Sequence, residues 1–270
     1  MSREEEAFAL LARDLSRRTG VALDAYKPKC LRRRIAVRMR AVGAHTFDDY
    51  RAHLDRAPDE LQRLHDTLTI NVTRFHRNPE TWAALAPRLS GLAAHAGDIR
   101  CWSAGCASGE EPYTLAMLWA EAARGGDVPG VLERLHIEAT DIDRASLARA
   151  RAGRYPEAAF AESPPDVVAR WTSRDGDARV VDARLRARVE VRPHDLTRDL
   201  VPVARYDLVT CRNAVIYFER PLQERLFAAF HDALRPGGLL VLGKVETLSG
   251  PARDRLELID VRERIYRRPS

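Results

Sequence analysis

From Ile99 to the end of the chain, short apolar runs alternate with segments that have the periodicity of helices. Apolar runs of strand length occupy four ranges, which are 99–103, 135–140, 206–211 and 239–243. Strands that alternate with helices along a chain form a parallel sheet with helices packed on both faces. We therefore expect residues 99–270 to form an α/β domain.

The alternation of strands and helices is interrupted around 155–192. Pro164-Pro165 and Asp175-Gly176-Asp177 are typical of turns. Two short runs, 179–182 and 188–192, are predicted to pair with each other as a β-ribbon. This segment should form a small subdomain inserted into the α/β domain.

The first part of the chain has helical periodicity and no alternating strand pattern. Helix start and stop signals recur at helical spacing and include Gly20, Pro28, Gly43 and Asn78-Pro79. We expect an all-α domain over 1–85 and a linking helix over 86–98. A chain of 270 residues, 45% of them hydrophobic, is long enough for two domains of this kind.

Composition disfavours several classes of protein. No apolar run approaches the roughly 18 residues that span a membrane, and the chain starts with acidic residues where a signal peptide would be basic and then apolar. The four cysteines form no Cys-x-x-Cys pair, and no histidine cluster has zinc spacing. We expect a cytoplasmic monomer with reduced cysteines, no direct membrane insertion and no metal.

A turn of small and acidic residues follows the first predicted strand. It runs through Ala104-Gly105-Cys106 to Gly109-Glu110-Glu111-Pro112, and a helix is predicted after it. Small residues let a ligand approach the backbone closely, and the amides at a helix N-terminus attract negative groups. The two glutamates would repel a pyrophosphate but attract an ammonium group. The turn therefore predicts a nucleotide-type site, although a tight turn with acidic residues at a helix start is the alternative interpretation.

Polar residues also follow two other predicted strands. Asp141 comes after 135–140, where a carboxylate can accept hydrogen bonds from ribose hydroxyls, while Asp143 is predicted to cap the next helix. Asn213 follows 206–211 and offers a donor and an acceptor at the edge where open α/β sheets bind ligands. For Tyr217, packing and catalysis both remain open.

These motifs resemble those of the chemotaxis receptor protein-glutamate O-methyltransferases, a family often called CheR. The resemblance spans nearly the whole chain and rests on four motifs in the family's order: LTINVTRFHR (68–77), WSAGCASGEEPY (102–113), ATDID (139–143) and CRNAVIYF (211–218). It implies a small N-terminal all-α domain followed by a class I, Rossmann-like S-adenosylmethionine-dependent methyltransferase domain. The implied reaction transfers a methyl group from S-adenosylmethionine to glutamates in the cytoplasmic helical domain of methyl-accepting chemotaxis-type receptors, with S-adenosylhomocysteine as product.

The resemblance also implies roles for individual residues. Arg77 and Tyr217 would be the catalytic residues that stand nearest the reacting methyl group. The residues that would bind the cofactor are Asn71, Thr73 and Arg77 from the end of the helical domain, Ala104, Gly105 and Glu110 at the methionine end, Asp141 at the ribose, Asp195 and Leu196 at the adenine, and Asn213 and Ala214 at the reacting end. The family usually has Phe-Phe-Arg where this chain has Phe75-His76-Arg77, and Gly-x-Ser-Glu where it has Gly243-Lys244-Val245-Glu246.

Two other functions are compatible with the predicted fold. A nucleic-acid methyltransferase is disfavoured because Ser163-Pro164-Pro165-Asp166 lacks the aromatic residue that would stack on a flipped base. A noncatalytic S-adenosylmethionine-binding regulatory module remains an alternative. We expect no nucleic acid among the partners.

The predicted second helix is strongly basic, with seven basic residues and no acidic one between Lys27 and Arg40. At about 100° per residue the charges form two bands beside an apolar stripe. The bands consist of Lys27, Arg34 and Arg38, and of Lys29, Arg33 and Arg40. One interpretation is a solvated helix face. The other is a docking surface for receptor helices with clustered glutamates, to which Arg33, Arg34 and Arg38 would contribute.

Overall fold

The structure is a computed structural model that describes residues 2–68, 73–95 and 97–270. Its contacts divide the chain into two compact units. The first unit, the helical unit, consists of Met1–Ile70 with Tyr217–Leu222. The second, the sheet unit, consists of Asn71–Ile216 with Gln223–Ser270. None of the helices in the described part of the chain has an apolar stretch long enough to cross a membrane.

The described residues of the N-terminal part of the helical unit form α1 (Arg3–Thr19), α2 (Pro28–Val42), α3 (Phe47–Arg56) and α4 (Pro58–Leu68). The predicted start and stop signals are confirmed. Gly20 and Gly43 end α1 and α2 in the left-handed conformation, and Pro28 opens α2. Thr46 caps α3 by a reciprocal capping box with Asp49.

A short segment from the second half of the chain belongs to the helical unit. The Lys27 N–H donates to the Tyr217 carbonyl at 2.9 Å, and the Glu219 N–H donates to the Ala25 carbonyl at 2.9 Å. Between these bonds the rings of Tyr26 and Phe218 pack edge to face, with centroids 5.0 Å apart. The backbone of Tyr217 is therefore held by residues that precede α2.

The sheet unit is built on a seven-stranded sheet whose order is β6-β2-β1-β7-β8-β10-β9. Its strands are β1 (Ile99–Ala104), β2 (Leu135–Asp141), β6 (Val189–Pro193), β7 (Tyr206–Cys211), β8 (Leu234–Leu242), β9 (Glu257–Asp260) and β10 (Ile265–Arg267). The pairs from β6 to β8 are parallel, whereas β10 is antiparallel to both of its neighbours. The predicted α/β fold is confirmed, and the carboxyl ends of β6, β2, β1 and β7 lie at one edge.

The remaining α-helices of the chain are α5 (Pro79–Leu85), α6 (Leu89–Leu92), α7 (Glu110–Gly125), α8 (Val131–Arg134), α9 (Arg144–Ala152), α10 (Pro165–Trp171), α11 (Ala183–Arg186), α12 (Arg220–Ala233) and α13 (Ala252–Arg255). A second, three-stranded sheet has the order β3-β5-β4. Its strands are β3 (Arg154–Pro156), β4 (Thr172–Asp175) and β5 (Ala178–Val181). This antiparallel sheet lies largely within 155–192, the range for which an inserted subdomain is expected.

The predicted ribbon between 179–182 and 188–192 is wrong. Val180 and Arg179 pair with β3 and β4, whereas β6 pairs in parallel with β2 in the large sheet. A run of strand-forming residues indicates a strand but not its partner. The partner here lies about 50 residues earlier in the chain, beyond the reach of a local pattern.

The boundary expected at residue 85 differs from the division by contacts, in which Asn71–Ile216 belongs to the sheet unit. The range 86–98 is not a separate linking helix either, because α5 and α6 flank a single 3₁₀ turn, Ala86–Arg88. The physical reason is that apolar side chains of the segment 75–92 are buried in the core of the sheet unit. The buried side chains are Phe75, Trp82, Leu85, Leu89 and Leu92.

A buried carboxylate connects three helices of the helical unit. Glu60 on α4 is 3% exposed and accepts two hydrogen bonds from the Arg38 guanidinium, at 2.9 and 2.7 Å, and one from the Tyr50 hydroxyl at 2.8 Å. Burial raises the pKa of Glu60, but the hydrogen bonds from Arg38 and Tyr50 outweigh burial and hold the pKa below its ordinary value. Arg38 therefore neutralises a charge inside the unit.

We expect Arg38→Gln to destabilise the protein by about 3 kcal/mol, because it leaves the Glu60 carboxylate buried without its cation. Urea unfolding of the full chain, followed by far-UV circular dichroism, measures the change. Arg33→Gln is the matched control on the exposed face of the same helix and should shift stability by less than about 0.5 kcal/mol. An Arg38→Gln variant as stable as wild type would contradict the importance of this pair.

Candidate cofactor and active site

The loop between β1 and α7 is built so that backbone approaches backbone closely. The Gly105 N–H donates to the Thr140 carbonyl at 2.8 Å, which ties the loop to the end of β2. Gly105 has a φ of +79°, and a Cβ there would lie 3.2 Å from the Cβ of Ala214. Gly109 has a φ of +98°, and a Cβ there would lie 2.7 Å from the Tyr155 hydroxyl. Glycine is required at both positions, as expected for a turn around a ligand.

The two glutamates of the loop have different roles. Glu110, at the start of α7, is 6% exposed and accepts hydrogen bonds from the Ser108 hydroxyl at 3.0 and 2.8 Å. Burial raises its pKa. The Glu111 carboxylate instead accepts from the Ser103 hydroxyl at 2.8 Å and the Thr210 hydroxyl at 2.7 Å, so it connects α7 to β1 and β7. Of the pair, only Glu110 remains as a candidate for an ammonium group.

Asp141 lies at the carboxyl end of β2 and faces the glycine loop. Its two carboxylate oxygens accept hydrogen bonds from the Ala107 and Asp143 N–H groups, each at 2.9 Å. Burial raises its pKa. Each oxygen keeps a lone pair for a further donor, as ribose hydroxyls require. Asp143 caps α9 through the Ala145 N–H at 2.9 Å, which confirms its predicted role.

Asn213 follows β7 and has a left-handed φ of +61°. The Glu246 carboxylate holds this turn by accepting from the N–H groups of Asn213 at 2.9 Å, Gly243 at 2.6 Å and Ile216 at 3.2 Å. The side-chain Oδ1 of Asn213 is buried and has no hydrogen-bond partner among the described residues. A buried acceptor without a partner is costly unless a ligand donates to it.

Asp195 and Leu196 follow β6, at the same sheet edge as Asp141. The His194 N–H donates to the Asp141 carbonyl at 3.0 Å. The Asp195 carboxylate accepts from the N–H and the hydroxyl of Thr197, at 2.8 and 2.7 Å, and so closes a tight turn. Asp195 and Leu196 are both half-buried.

Arg77 lies between two residues with left-handed backbones, since φ is +53° at His76 and +58° at Asn78. Non-glycine residues in this conformation cost about 1–3 kcal/mol each and persist only where neighbouring groups hold them. The carbonyl of Arg77 accepts from the Arg212 guanidinium at 2.7 Å and from the Trp82 indole at 3.1 Å. The backbone around Arg77 is therefore strained and firmly held.

The loop that carries Arg77 connects directly to the glutamate loop. The His76 N–H donates to the Thr114 hydroxyl at 3.0 Å, and this hydroxyl donates to the Glu110 carbonyl at 2.7 Å. The His76 ring is hydrogen-bonded to the Ser163 hydroxyl at 3.0 Å. Burial lowers the pKa of His76 to about 4, so the ring is neutral near pH 7. His76 is thus a buried, uncharged residue.

The sheet unit brings together most of the predicted cofactor residues. Asn71 lies outside the described residues. Thr73 is half-buried, and Ala104 is fully buried at the end of β1. Tyr217 belongs to the helical unit, where the Arg34 guanidinium lies 4.5 Å from the centre of its ring. Sequence reasoning missed the supporting roles of Arg212 and Glu246, although Arg212 lies in the CRNAVIYF motif and Glu246 matches the glutamate of the Gly-x-Ser-Glu pattern.

The structure corrects two of the three predicted docking residues on α2. Arg34 is 7% exposed, and its guanidinium donates to the Leu68 carbonyl. Arg38 is paired with Glu60 inside the unit. Both face neighbouring residues of the helical unit, so neither can present its charge to a docking partner. Arg33 is exposed and remains a candidate.

No group of three or more His, Cys, Asp and Glu side chains among the described residues is arranged to hold a metal ion. Of the four cysteines, Cys101, Cys106 and Cys211 are buried and Cys30 is half-buried, and all four are free thiols.

The raised pKa of Glu110 leads to a pH prediction. A protonated Glu110 cannot attract an ammonium group, so affinity for S-adenosylhomocysteine, the product implied by the resemblance, should fall as the pH drops toward this raised pKa. Glu110→Gln should weaken binding about tenfold at pH 7 and remove this part of the pH dependence. Calorimetry between pH 5 and pH 8 measures both effects.

Protonation of Glu110 should also affect stability, and in the opposite direction: it weakens ligand binding but stabilises the fold. A raised pKa means that the folded state binds the proton more tightly than the unfolded chain, so ionised Glu110 destabilises the fold above that pKa and ceases to do so as the pH falls. Glu110→Gln should therefore be at least as heat-stable as wild type at pH 7. An unchanged pH dependence of binding in this variant would exclude Glu110 from the ligand site.

Comparison with known proteins identifies a family for both units. The model of the CheR methyltransferase all-alpha domain matches residues 6–69, and the model of the CheR methyltransferase SAM-binding domain matches residues 71–265. The chain is 35% identical to chemotaxis protein methyltransferase 2 of Pseudomonas aeruginosa, over 89% of this chain and 86% of that protein.

Two further relatives match most of the chain. A chemotaxis protein methyltransferase of Listeria monocytogenes is 32% identical and covers 92% of each chain. An uncharacterised 104.1 kDa protein of Rhodobacter capsulatus is 36% identical over 97% of this chain, which spans only 27% of that longer protein. The chain belongs to the CheR methyltransferase family and is an S-adenosylmethionine-dependent methyltransferase.

Proposed function

We propose that this methyltransferase acts on glutamate side chains in the cytoplasmic helical domain of methyl-accepting chemotaxis-type receptors. The observation that carries the proposal is the firmly held Arg77 loop, which two hydrogen bonds of the Thr114 hydroxyl connect to the backbone of His76 and of Glu110. An arginine suits a carboxylate because its guanidinium is planar and permanently charged. Two relatives, both chemotaxis protein methyltransferases, support a substrate in chemotaxis.

The residues of the sheet unit fit S-adenosylmethionine. Glu110 would hold the ammonium of the methionine moiety, Asp141 the ribose hydroxyls, and Asp195 and Leu196 the adenine. The unpartnered Oδ1 of Asn213 and the close approach of Gly105 to Ala214 are the features that a bound ligand would explain. When bound, S-adenosylmethionine supplies a methyl group on a positively charged sulfur.

The chemistry requires positioning more than proton transfer. A glutamate side chain has a pKa near 4.3 and is ionised at neutral pH, so it needs no general base. His76, buried and neutral, is not required to act as one. Orientation alone can lower such a barrier by about 7–11 kcal/mol. The task of Arg77 is therefore to orient a carboxylate, either that of the substrate or that of the methionine moiety.

Tyr217 would stand near the reacting methyl group, as the resemblance implies. Its ring lies against the buried guanidinium of Arg34, and its carbonyl accepts from the Lys27 N–H. These contacts restrict both the ring and the backbone of Tyr217. Arg34, predicted as a docking residue, instead supports this tyrosine from within the helical unit.

The decisive experiment incubates the protein with methyl-labelled S-adenosylmethionine and receptor-rich membranes and then applies mild alkali. Carboxyl methyl esters release volatile methanol, whereas methylated nitrogen does not. We expect Arg77→Ala to abolish the volatile label while the fold remains intact, and Arg77→Lys to restore little, since an ammonium lacks the planar fork. Cofactor binding without any volatile label would contradict the proposed glutamate substrate, and full activity of Arg77→Ala would remove Arg77 from the site.

The exposed face of α2 is the proposed docking surface for the receptor. Lys29, Arg33 and Arg40 are exposed, share one side of the helix and have no side-chain partner among the described residues. Val37, 44% exposed, lies between them. Receptor helices with clustered glutamates would be attracted to such a face. This surface replaces the predicted set by removing Arg34 and Arg38 and keeping Arg33.

We expect Arg33→Glu with Arg40→Glu to slow receptor methylation at least tenfold while affinity for S-adenosylhomocysteine stays unchanged. The wild-type rate should fall with added salt, since the Debye length is about 8 Å at physiological ionic strength. Arg13→Glu with Arg56→Glu is the control, because it changes the net charge equally at exposed positions of α1 and α3. Equal rates for the two double variants would show that α2 does not dock the receptor.

A further inference from the structure

We propose that Glu162, in the inserted segment between β3 and α10, is a positioning residue that sets the orientation of Arg77. The inference rests on the function proposed for Arg77 and extends it to a residue outside the recognised motifs. It depends on contacts within the sheet unit only.

The inserted segment holds the Arg77 loop along its whole length. The Phe75 N–H donates to the Ala159 carbonyl at 3.0 Å, and the Phe75 ring stacks on Phe160 with centroids 4.1 Å apart. The Asn78 N–H donates to the Glu162 carboxylate at 3.0 Å. Together with the hydrogen bond between His76 and Ser163, these contacts pack one side of the Arg77 loop against the inserted segment.

A second set of contacts to the Arg77 loop comes from Arg212, in the rest of the sheet unit. Arg212, which follows β7, donates to the Arg77 carbonyl and to the Asn78 Oδ1, the latter at 3.1 Å. Its guanidinium lies 4.9 Å from the centre of the Trp82 ring and is 3.6 Å from the Glu111 carboxylate. Arg212 is buried, so its contacts with the loop are held by the core. The Glu162 side chain is half-exposed, so we expect that it can be substituted without disturbing the core.

Among the contacts of Glu162, the hydrogen bond from the Asn78 N–H matters most for the orientation of Arg77. Asn78 is the first residue before α5 and is held in the left-handed conformation, which an L-residue leaves unless its polar groups are fixed. Loss of the acceptor would free the Asn78 N–H and let its backbone turn. Because Arg77 is the adjacent residue, that turn would redirect its side chain.

The negative charge of Glu162 matters less than its acceptor oxygen. Its carboxylate also pairs with Arg74 at 3.1 Å, but the Arg74 side chain is 53% exposed. Exposed ion pairs contribute little. A neutral acceptor at position 162 should therefore keep Arg77 in place, whereas a side chain without an acceptor should not.

Four variants of the full chain separate these contributions. Glu162→Ala should lower kcat/KM for receptor methylation about 10- to 100-fold, the size expected for a small misplacement of a catalytic group. Glu162→Gln, which keeps an acceptor, and Arg74→Ala, which removes only the ion pair, should lower it at most about fivefold. Glu157→Ala is the matched control, since Glu157 forms an exposed ion pair with Arg179 in the same subdomain and should leave the rate unchanged.

A direct readout and a double variant test whether Glu162 acts through Arg77. In Glu162→Ala, hydrogen exchange of the Asn78 amide should quicken at least tenfold while the thermal midpoint stays within a few degrees of wild type. Adding Glu162→Ala to Arg77→Lys should lower the rate less than twofold further, because the two changes remove the same function. Equal losses in Glu162→Ala and Glu162→Gln, or additive losses in the double variant, would overturn the proposal. If Arg77→Lys is itself fully active, the function proposed for Arg77 fails first, and the two failures are thereby distinguished.

Discussion

The carboxylate of Glu111 is the contact on which the site in the sheet unit depends. It accepts hydrogen bonds from Ser103 in β1 and from Thr210 in β7, so one side chain joins two adjacent strands to the first turn of α7. The guanidinium of Arg212 lies 3.6 Å from the same carboxylate. An arginine held in this way is available to bind the backbone of Arg77. A polar cluster inside the core thus holds the Arg77 loop in position.

The strain at His76 and Asn78 is understandable in this setting. Left-handed backbones on both sides of Arg77 are unfavourable alone, and a flexible loop would relax them. The surrounding groups prevent relaxation from two directions: the core through Arg212 and the inserted subdomain through Glu162. The subdomain therefore has a structural role at the site, whatever else its outer strands contact. An arginine whose backbone is fixed loses less conformational entropy when it orients a carboxylate, the role proposed for Arg77.

Sequence patterns predicted the order of helices and strands well, because capping residues and apolar periodicity act locally. Pro28 begins a helix and Gly20 and Gly43 end helices, as expected. The same patterns could not predict which strands pair, so β6 was assigned to a ribbon when it extends the parallel sheet beside β2. For the site, the motifs indicated Glu110, Asp141 and Asn213, and the last two are held in part by residues distant in the chain. Glu246, 33 residues after Asn213, holds that turn, and the short pattern that contains Glu246 does not indicate which residue it contacts.

Adjacent charged residues show why charge alone does not predict function. Glu110 and Glu111 differ by about 100° around α7, and only the second faces hydroxyl donors on the strands. On α2, Arg33 and Arg34 differ by the same angle, and Arg34 lies buried against Tyr217 while Arg33 is exposed. In both pairs the composition of the segment indicates the sign of the local field. The tertiary partners decide which charge supports the fold and which remains for a ligand, since a charge buried with a partner is no longer available to bind another molecule.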